Sequence, residues 1–159
     1  MISAGTGVAA VGAYGYFSDG LPEILTLEDY RPATITHFHA RDGQIVGEFA
    51  HQRRSLVTLD GMPAHLIAAF LAAEDKRFFV HNGVDYRATL RAVIKNYLAG
   101  RTTQGASTIT QQLCKDLVGR ARSYTRKARE AILARRTESR LSKLDILYLY
   151  LNEVFLGQG

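Results

Sequence analysis

The sequence predicts a mainly α domain with a small β element before it. From Pro63 onward apolar residues recur at helical spacing between recognisable caps, whereas Ala33 to Ala50 holds two β-forming runs around an Asp-Gly turn. With 47% hydrophobic residues and 22% charged ones, 159 residues suffice for one domain with a real core and exclude a disordered tail.

Each element follows from local signals. Residues Met1 to Phe17 carry no charge and are rich in Ala, Val and Gly. As a helix they would span roughly 25 Å against a hydrocarbon core of about 30 Å, so they read as the outer part of a membrane anchor, without the basic cluster of a signal peptide. Gly20-Leu21-Pro22 breaks the chain, and Glu23 to Pro32 reads as an extended linker. Two strands, Thr34–His39 and Ile45–Phe49, flank the hairpin signal Arg41-Asp42-Gly43-Gln44, and Ser55–Thr58 is a further strand candidate. The next segment is a helix that starts at Pro63 with an apolar arc of Leu66, Ile67, Phe70 and Leu71. Another starts near Asp85, aligns Tyr86, Leu90, Val93, Ile94 and Tyr97, and stops at Gly100. A third is capped by Ser107; Ile109, Leu113 and Leu117 form its apolar stripe, beside a polar face of Thr108, Gln112 and Lys115. The fourth begins around Ser123, with Tyr124, Ala128, Ala131 and Ile132 on one side. The fifth opens on the capping box Ser142-Lys143-Leu144-Asp145 and buries Ile146, Leu147, Tyr150, Leu151 and Val154. The resulting division is a partial anchor (1–17), a linker with the β element (18–60) and a helical domain (61–159).

Charge and chemistry are unevenly spread. The net charge of +5 is concentrated in Arg120, Arg122, Arg126, Lys127, Arg129, Arg135, Arg136, Arg140 and Lys143, which favours an anionic partner: a lipid phosphate, a membrane surface or nucleic acid. The plain alternative is a solvated helix face. Cys114, the only cysteine, cannot form an internal disulfide, and no His/Cys spacing fits a zinc site, so metal chemistry is not indicated. Its place on the apolar side of its helix suits a buried, inert thiol. Between Gln104 and Lys115 a dense run of uncharged hydrogen-bonding side chains enters a helix, a surface suited to a polyhydroxylated, phosphorylated ligand. On a helical wheel Glu74 falls between Phe70 and Ile67, within the apolar arc, with Asp75 at its margin. A carboxylate stripped of water there is suited to accept a proton near neutral pH.

Taken with Glu74-Asp75-Lys76-Arg77-Phe78-Phe79-Val80-His81-Asn82-Gly83 and Arg126-Lys127-Ala128-Arg129-Glu130, the Gln104–Lys115 run resembles the peptidoglycan glycosyltransferase (transglycosylase) domain of class A penicillin-binding proteins. The pattern Glu-Asp-x-x-Phe-x-x-His-x-Gly is matched by Glu74, Asp75, Phe78, His81 and Gly83, and Arg-Lys-x-x-Glu by Arg126, Lys127 and Glu130. Lys143-x-x-Ile146-Leu147-x-x-Tyr150-Leu151-Asn152 and the closing Gly157-Gln158-Gly159 resemble two further motifs. The resemblance implies a lysozyme-like fold that polymerises lipid II into glycan strands with release of undecaprenyl diphosphate and inversion at the anomeric carbon. Glu74 would be the general base and Glu130 a second catalytic carboxylate. The implied substrate-binding set is Asp75, Phe78, His81, Thr108, Gln112, Lys115, Asp116, Arg126 and Lys127, in which His81 also orders the loop after it and Lys115, Arg126 and Lys127 face the diphosphate. Implied partners are lipid II, the lipid-linked glycan strand, the extracytoplasmic face of a bacterial cytoplasmic membrane, moenomycin-type inhibitors and a fused transpeptidase domain. Nucleic acid is not among them. It implies no definite cofactor and leaves room for a divalent cation.

This sequence departs from the family pattern in places. Asp116 stands where the family usually has Asn, the stretch from Lys115 to Lys127 is one residue short, and the family domain continues past the Gly-x-Gly, so the chain reads as an incomplete domain at its C-terminus. Rival readings are a non-catalytic remnant, a lysozyme-like muramidase acting through two carboxylates, and a basic helical module binding nucleic acid through Arg120 to Lys143.

Overall fold

The computed structural model describes residues 12–23, 36–49, 56–119 and 123–154, with the side chain of Asp116 excepted. Residues 1–11 of the expected anchor, most of the linker, Thr34, Ile35, Ser55, Arg120, Arg122 and the closing Gly157-Gln158-Gly159 lie outside the described residues. The fold is mainly α. Helical residues 12–18 (α1) precede the strands Thr36–His39 (β1) and Ile45–Phe49 (β2), followed by Ala64–Glu74 (α2), Tyr86–Ala99 (α3), Ile109–Val118 (α4), Tyr124–Glu138 (α5) and Lys143–Glu153 (α6). Short 3-10 turns occupy Leu59–Gly61 and Phe78–Val80.

The hairpin forms where its turn chemistry requires. Gly43 takes a φ of +83°, a left-handed conformation open to glycine, and the Asp42 carboxylate accepts from the Gln44 N–H at 3.1 Å. β1 and β2 pair antiparallel, Thr36 opposite Phe49. Leu56–Thr58 forms no strand. Instead the Asn152 side-chain amide takes both backbone groups of Val57, accepting from its N–H at 3.0 Å and donating to its carbonyl at 3.0 Å. One amide from α6 thereby replaces a strand partner.

The helix caps mostly stand where the sequence puts them. The Asp85 carboxylate accepts from the N–H groups of Arg87 and Ala88, Ser123 from Arg126, and Ser142 forms a capping box with Asp145. For α4 the cap is Thr108, one residue later than expected, in a capping box with Gln111. Pro63 is itself the cap residue of α2.

α4 packs against both α5 and α6. One core joins Phe78, Ile109, Ile146, Leu147 and Tyr150, with Ile67, Phe70, Leu71 and Leu113 half-buried around it; a smaller one joins Cys114, Leu133 and Ala134. Three apolar faces differ from expectation. The buried side of α5 is Glu130, Leu133, Ala134 and Thr137, whereas Tyr124 is fully in solvent. Leu117 is exposed, and Cys114 takes its place inward. Most of all, Tyr86, Leu90, Val93, Ile94 and Tyr97 do lie on one face of α3, but that face points outward, with Tyr97 85% exposed and only Ala92 buried.

Candidate active site

A cleft of about 520 Å³ lies between the C-terminal end of α2, the first turns of α3 and the segment leading into α4. Glu74, Lys76, Arg77, Arg91, Gln104, Ser107 and Gln112 are among its lining residues. The approach to α4 is held by Asn96, whose side-chain oxygen accepts from the N–H groups of Thr103 at 2.7 Å and Gln104 at 2.9 Å while its amide donates to the Gln104 carbonyl at 3.0 Å. Sequence reading passed over Asn96; a polar amide within an otherwise apolar helical pattern was the available signal.

Glu74 is not buried. It ends α2 with its side chain exposed at the cleft, and its carboxylate accepts from the Gln112 amide at 2.8 Å. The wheel put it in the apolar arc, but no residue of α2 is fully buried, and Glu74 at its last turn is exposed. Its charge nonetheless acts on the core below: burial, with a contribution from Glu74, pushes the Tyr150 hydroxyl above its ordinary pKa.

Asp75, by contrast, is buried. One of its oxygens accepts from His81 Nε2 at 2.9 Å and from the Ile109 N–H at 3.1 Å, which fastens the end of α2 to the start of α4. Phe78, placed by the resemblance on the substrate surface, is 1% exposed and sits in the core with the Lys143 ammonium 4.4 Å above its ring. Thr108 is likewise an internal cap: its hydroxyl donates to the Gly83 carbonyl at 2.6 Å. His81 is enclosed, with Nδ1 3.9 Å from Glu138. Of these four buried residues, Asp75 and Thr108 line the cleft, whereas Phe78 and His81 are not part of its wall. Glu138, which sequence reading missed, accepts from Thr110 at 2.5 Å and pairs with Lys143 at 2.7 Å, closing a buried polar network behind the site. Nothing in the local pattern of α5 marked it, because its partners come from α4 and α6.

The cations lie at the other side of Ser107. Lys127 donates to the Ser107 hydroxyl at 2.8 Å and to one oxygen of Glu130 at 2.8 Å, while Arg126 takes the other oxygen. Glu130 is 1% exposed, and its two oxygens hold Arg126 and Lys127. Burial, then the charges of Arg126 and Lys115, lower the pKa of the Lys127 ammonium. Lys115 therefore belongs to the same positive cluster, with its own side chain exposed. The side chain of Asp116 lies outside the described residues. No group of His, Cys, Asp and Glu suited to a metal ion occurs among the described residues.

Burial raises the Cys114 thiol to about 11, assisted by the charge of Glu138 and opposed by its Thr137 contact. Cys114 is expected to stay unmodified when the native protein meets a thiol reagent at neutral pH and to react once unfolded. Rapid native-state labelling, read by mass spectrometry, would contradict the closed packing around it.

The cleft thus brings the open Glu74 carboxylate together with the Ser107 hydroxyl that accepts from the Lys127 ammonium. Residues 42–159 match the transglycosylase family model, and the chain belongs to that family. It is 46% identical over 139 residues to penicillin-binding protein 1A of Neisseria flavescens, covering 87% of this chain and 17% of that protein. It is 42% identical over 163 residues to penicillin-binding protein 1A of Rickettsia conorii, covering 100% and 20%. Against penicillin-binding protein 1A of Escherichia coli K12 the identity is 41% over 147 residues, covering 92% and 17%. The chain thus spans about a fifth of the length of the curated relatives it matches.

Proposed function

We propose that this chain supplies the glycosyl-transfer site of a peptidoglycan polymerase that joins lipid II units on a lipid-linked glycan. The observation that carries the reading is the pairing within one cleft of an accessible carboxylate, Glu74, with Ser107, which holds the Lys127 ammonium. Glu74 takes the proton from the sugar 4-hydroxyl as that oxygen bonds to the anomeric carbon of the glycan. The bond from that carbon to the diphosphate breaks on the opposite face, inverting the centre, and the negative charge leaves on the lipid diphosphate. Lys115, Arg126 and Lys127 stabilise that charge as it develops. The same cluster would hold a phosphoglycolipid such as moenomycin.

A muramidase would need a second free carboxylate near Glu74. Asp75 and Asp85 are buried and bonded, and the neighbour of Glu74 is the neutral Gln112. Within the basic segment Arg126 and Lys127 bind Glu130, Arg129 donates to the Asp19 carbonyl and Arg136 lies over Tyr14, which supports the glycosyl-transfer reading over a nucleic-acid one. In the natural chain that carries these residues, lipid II should be consumed to give polymer; hydrolysis of preformed glycan without polymer growth would replace the transferase with the muramidase.

The outward apolar face of α3 fits this setting. It is flanked by Arg87, Arg91 and Lys95, the pattern of a helix lying in a membrane interface. No helix among the described residues is long and apolar enough to cross a membrane. The proposed arrangement is a segment 1–17 toward the membrane, residues 18–60 beyond it, and a helical domain 61–159 resting on the extracytoplasmic surface. A transpeptidase domain in the same polypeptide belongs to the proposal.

A lipid diphosphate bound among the three cations should raise the lowered Lys127 pKa, because an anion favours the charged form. In the free protein the folded state holds that proton less tightly, so proton loss from Lys127 favours the fold as pH climbs through the lowered value. NMR titration of the isotope-labelled lysine, with and without a lipid diphosphate, reads the change. A titration that does not move on saturation would remove Lys127 from the diphosphate site.

A further inference from the structure

A second cavity of about 300 Å³ lies between the Phe78–Val80 turn, the start of α3 and α5, and shares the Arg77 and Asp85 wall with the cleft. We propose that it seats the phosphate of an anionic phospholipid headgroup, a site separate from the glycosyl-transfer cleft. The proposal rests on α3 lying at the membrane surface.

The charge balance of the cavity calls for an anion. Arg77 is matched by Asp85 at 2.9 Å, and the carboxyl of Asp85 stays ionised: its burial would raise its pKa, but the Ala88 N–H, the charge of Arg77 and the Arg87 N–H together hold it below the usual range. That leaves the side chains of Arg87 and Arg135, from different helices, with no carboxylate partner among the described residues. Among the described residues the Arg135 guanidinium makes one bond, a long one to the Tyr86 hydroxyl, 3.4 Å. Asn82 adds an exposed amide to the lining. Two guanidinium forks with amide and hydroxyl donors between them match the oxygens of a phosphate better than a single carboxylate. At the inner wall stands the enclosed His81, whose Nδ1 has no hydrogen-bond partner among the described residues.

The apolar margin indicates a lipid as the source of the phosphate. Val80 lines the cavity and is 69% exposed, Phe79 beside it is also exposed, and Tyr86 and Leu90 begin the outward face of α3. A soluble phosphate would use the arginines but leave these side chains in water. An acyl-bearing phosphate would use both.

The test measures equilibrium binding of the natural chain to phosphatidylcholine vesicles with and without phosphatidylglycerol, and to inorganic phosphate. The variant Arg87→Ala/Arg135→Ala should lose roughly 30-fold in affinity for the phosphatidylglycerol vesicles, at about a factor of five for each charge removed at an anionic surface, while binding to phosphatidylcholine and turnover of lipid II in detergent stay at the native level. Arg140→Ala, an exposed arginine away from the cavity, should cost less than either single change. Equal losses from Arg140→Ala would reduce the site to diffuse attraction and overturn it, as would native binding by the double variant. Full competition by millimolar inorganic phosphate would assign the cavity to free phosphate and overturn the lipid. Val93→Asp/Tyr97→Asp tests the underlying placement separately: it should weaken binding to both vesicle types. If it does not, while the arginine variant still fails, α3 is not the membrane face but the headgroup seat stands.

Discussion

Glu74→Gln is expected to lower glycan polymerisation by at least about 100-fold while leaving lipid II binding and thermal stability near native, because a positioned base contributes at least that factor. The structure makes this a clean substitution. Glu74 is exposed at the end of α2 and contributes nothing to the core, so the fold loses no packing. A glutamine has the same length, and its side-chain oxygen can still accept from the Gln112 amide, now at 2.8 Å from the carboxylate. Only the ability to take a proton is removed. Turnover above about a tenth of native would reassign the base, since that residue would then supply far less than proton transfer requires. Gln112→Ala separates orientation from proton transfer: it frees the carboxylate without neutralising it, so a smaller loss than for Glu74→Gln is the expected order.

The elements were legible where the chain signals locally. Asp85, Ser123 and Ser142 announced three helices because a side chain can cap only the turn that follows it, and Gly100 ended α3 in the left-handed conformation, at φ +63°. At α4 both Ser107 and Thr108 can cap. Gln111 is three residues after Thr108, which completes the capping box there and frees Ser107 to meet Lys127. The cleft was legible as a set of motifs but not as a division of labour. The motif residues Glu74 and Asp75 are adjacent in sequence, yet one faces the cleft and the other ties two helices together, a difference set by what packs over the end of α2.

Periodicity identified faces without saying what covers them. The wheel correctly aligned Tyr86, Leu90, Val93, Ile94 and Tyr97, but their alignment is equally consistent with a core and with an interface to something outside the chain. The same arithmetic enclosed Glu74, which is exposed, and overlooked Glu138, which lies in the buried network with Thr110 and Lys143. Charge pairing across helices leaves no periodic trace, so Glu138 looked like any acidic residue near a helix end. Glu130 was visible as a partner of Arg126 and Lys127; its enclosure comes from the packing of α5 on α4.

Gly83→Ala is expected to destabilise the domain by about 2–5 kcal/mol, from left-handed strain of roughly 1–2 and overpacking of roughly 1–3 kcal/mol. Both arise at the same atom. Gly83 has a φ of +82°, and a Cβ built there would stand 2.7 Å from the backbone carbon and oxygen of Ala134 and the nitrogen of Arg135. Relief by movement is blocked: those are helix backbone atoms of α5, with Leu133 and Ala134 buried beside them. The loop must retreat instead, which pulls its carbonyl from the Thr108 hydroxyl, now at 2.6 Å, and loosens the cap that starts α4. Since Gln112 reaches Glu74 from that helix, polymerisation should fall along with stability, unlike the effect of Glu74→Gln. At about 2–4 °C per kcal/mol for a chain of this size, the unfolding midpoint should drop by roughly 5–20 °C. Faster amide exchange at Gln111, whose N–H bonds the Thr108 hydroxyl at 3.1 Å, would trace the damage to the cap. A midpoint within a degree of native would mean that α5 yields at this contact, and that the motif glycine is not fixed by close approach.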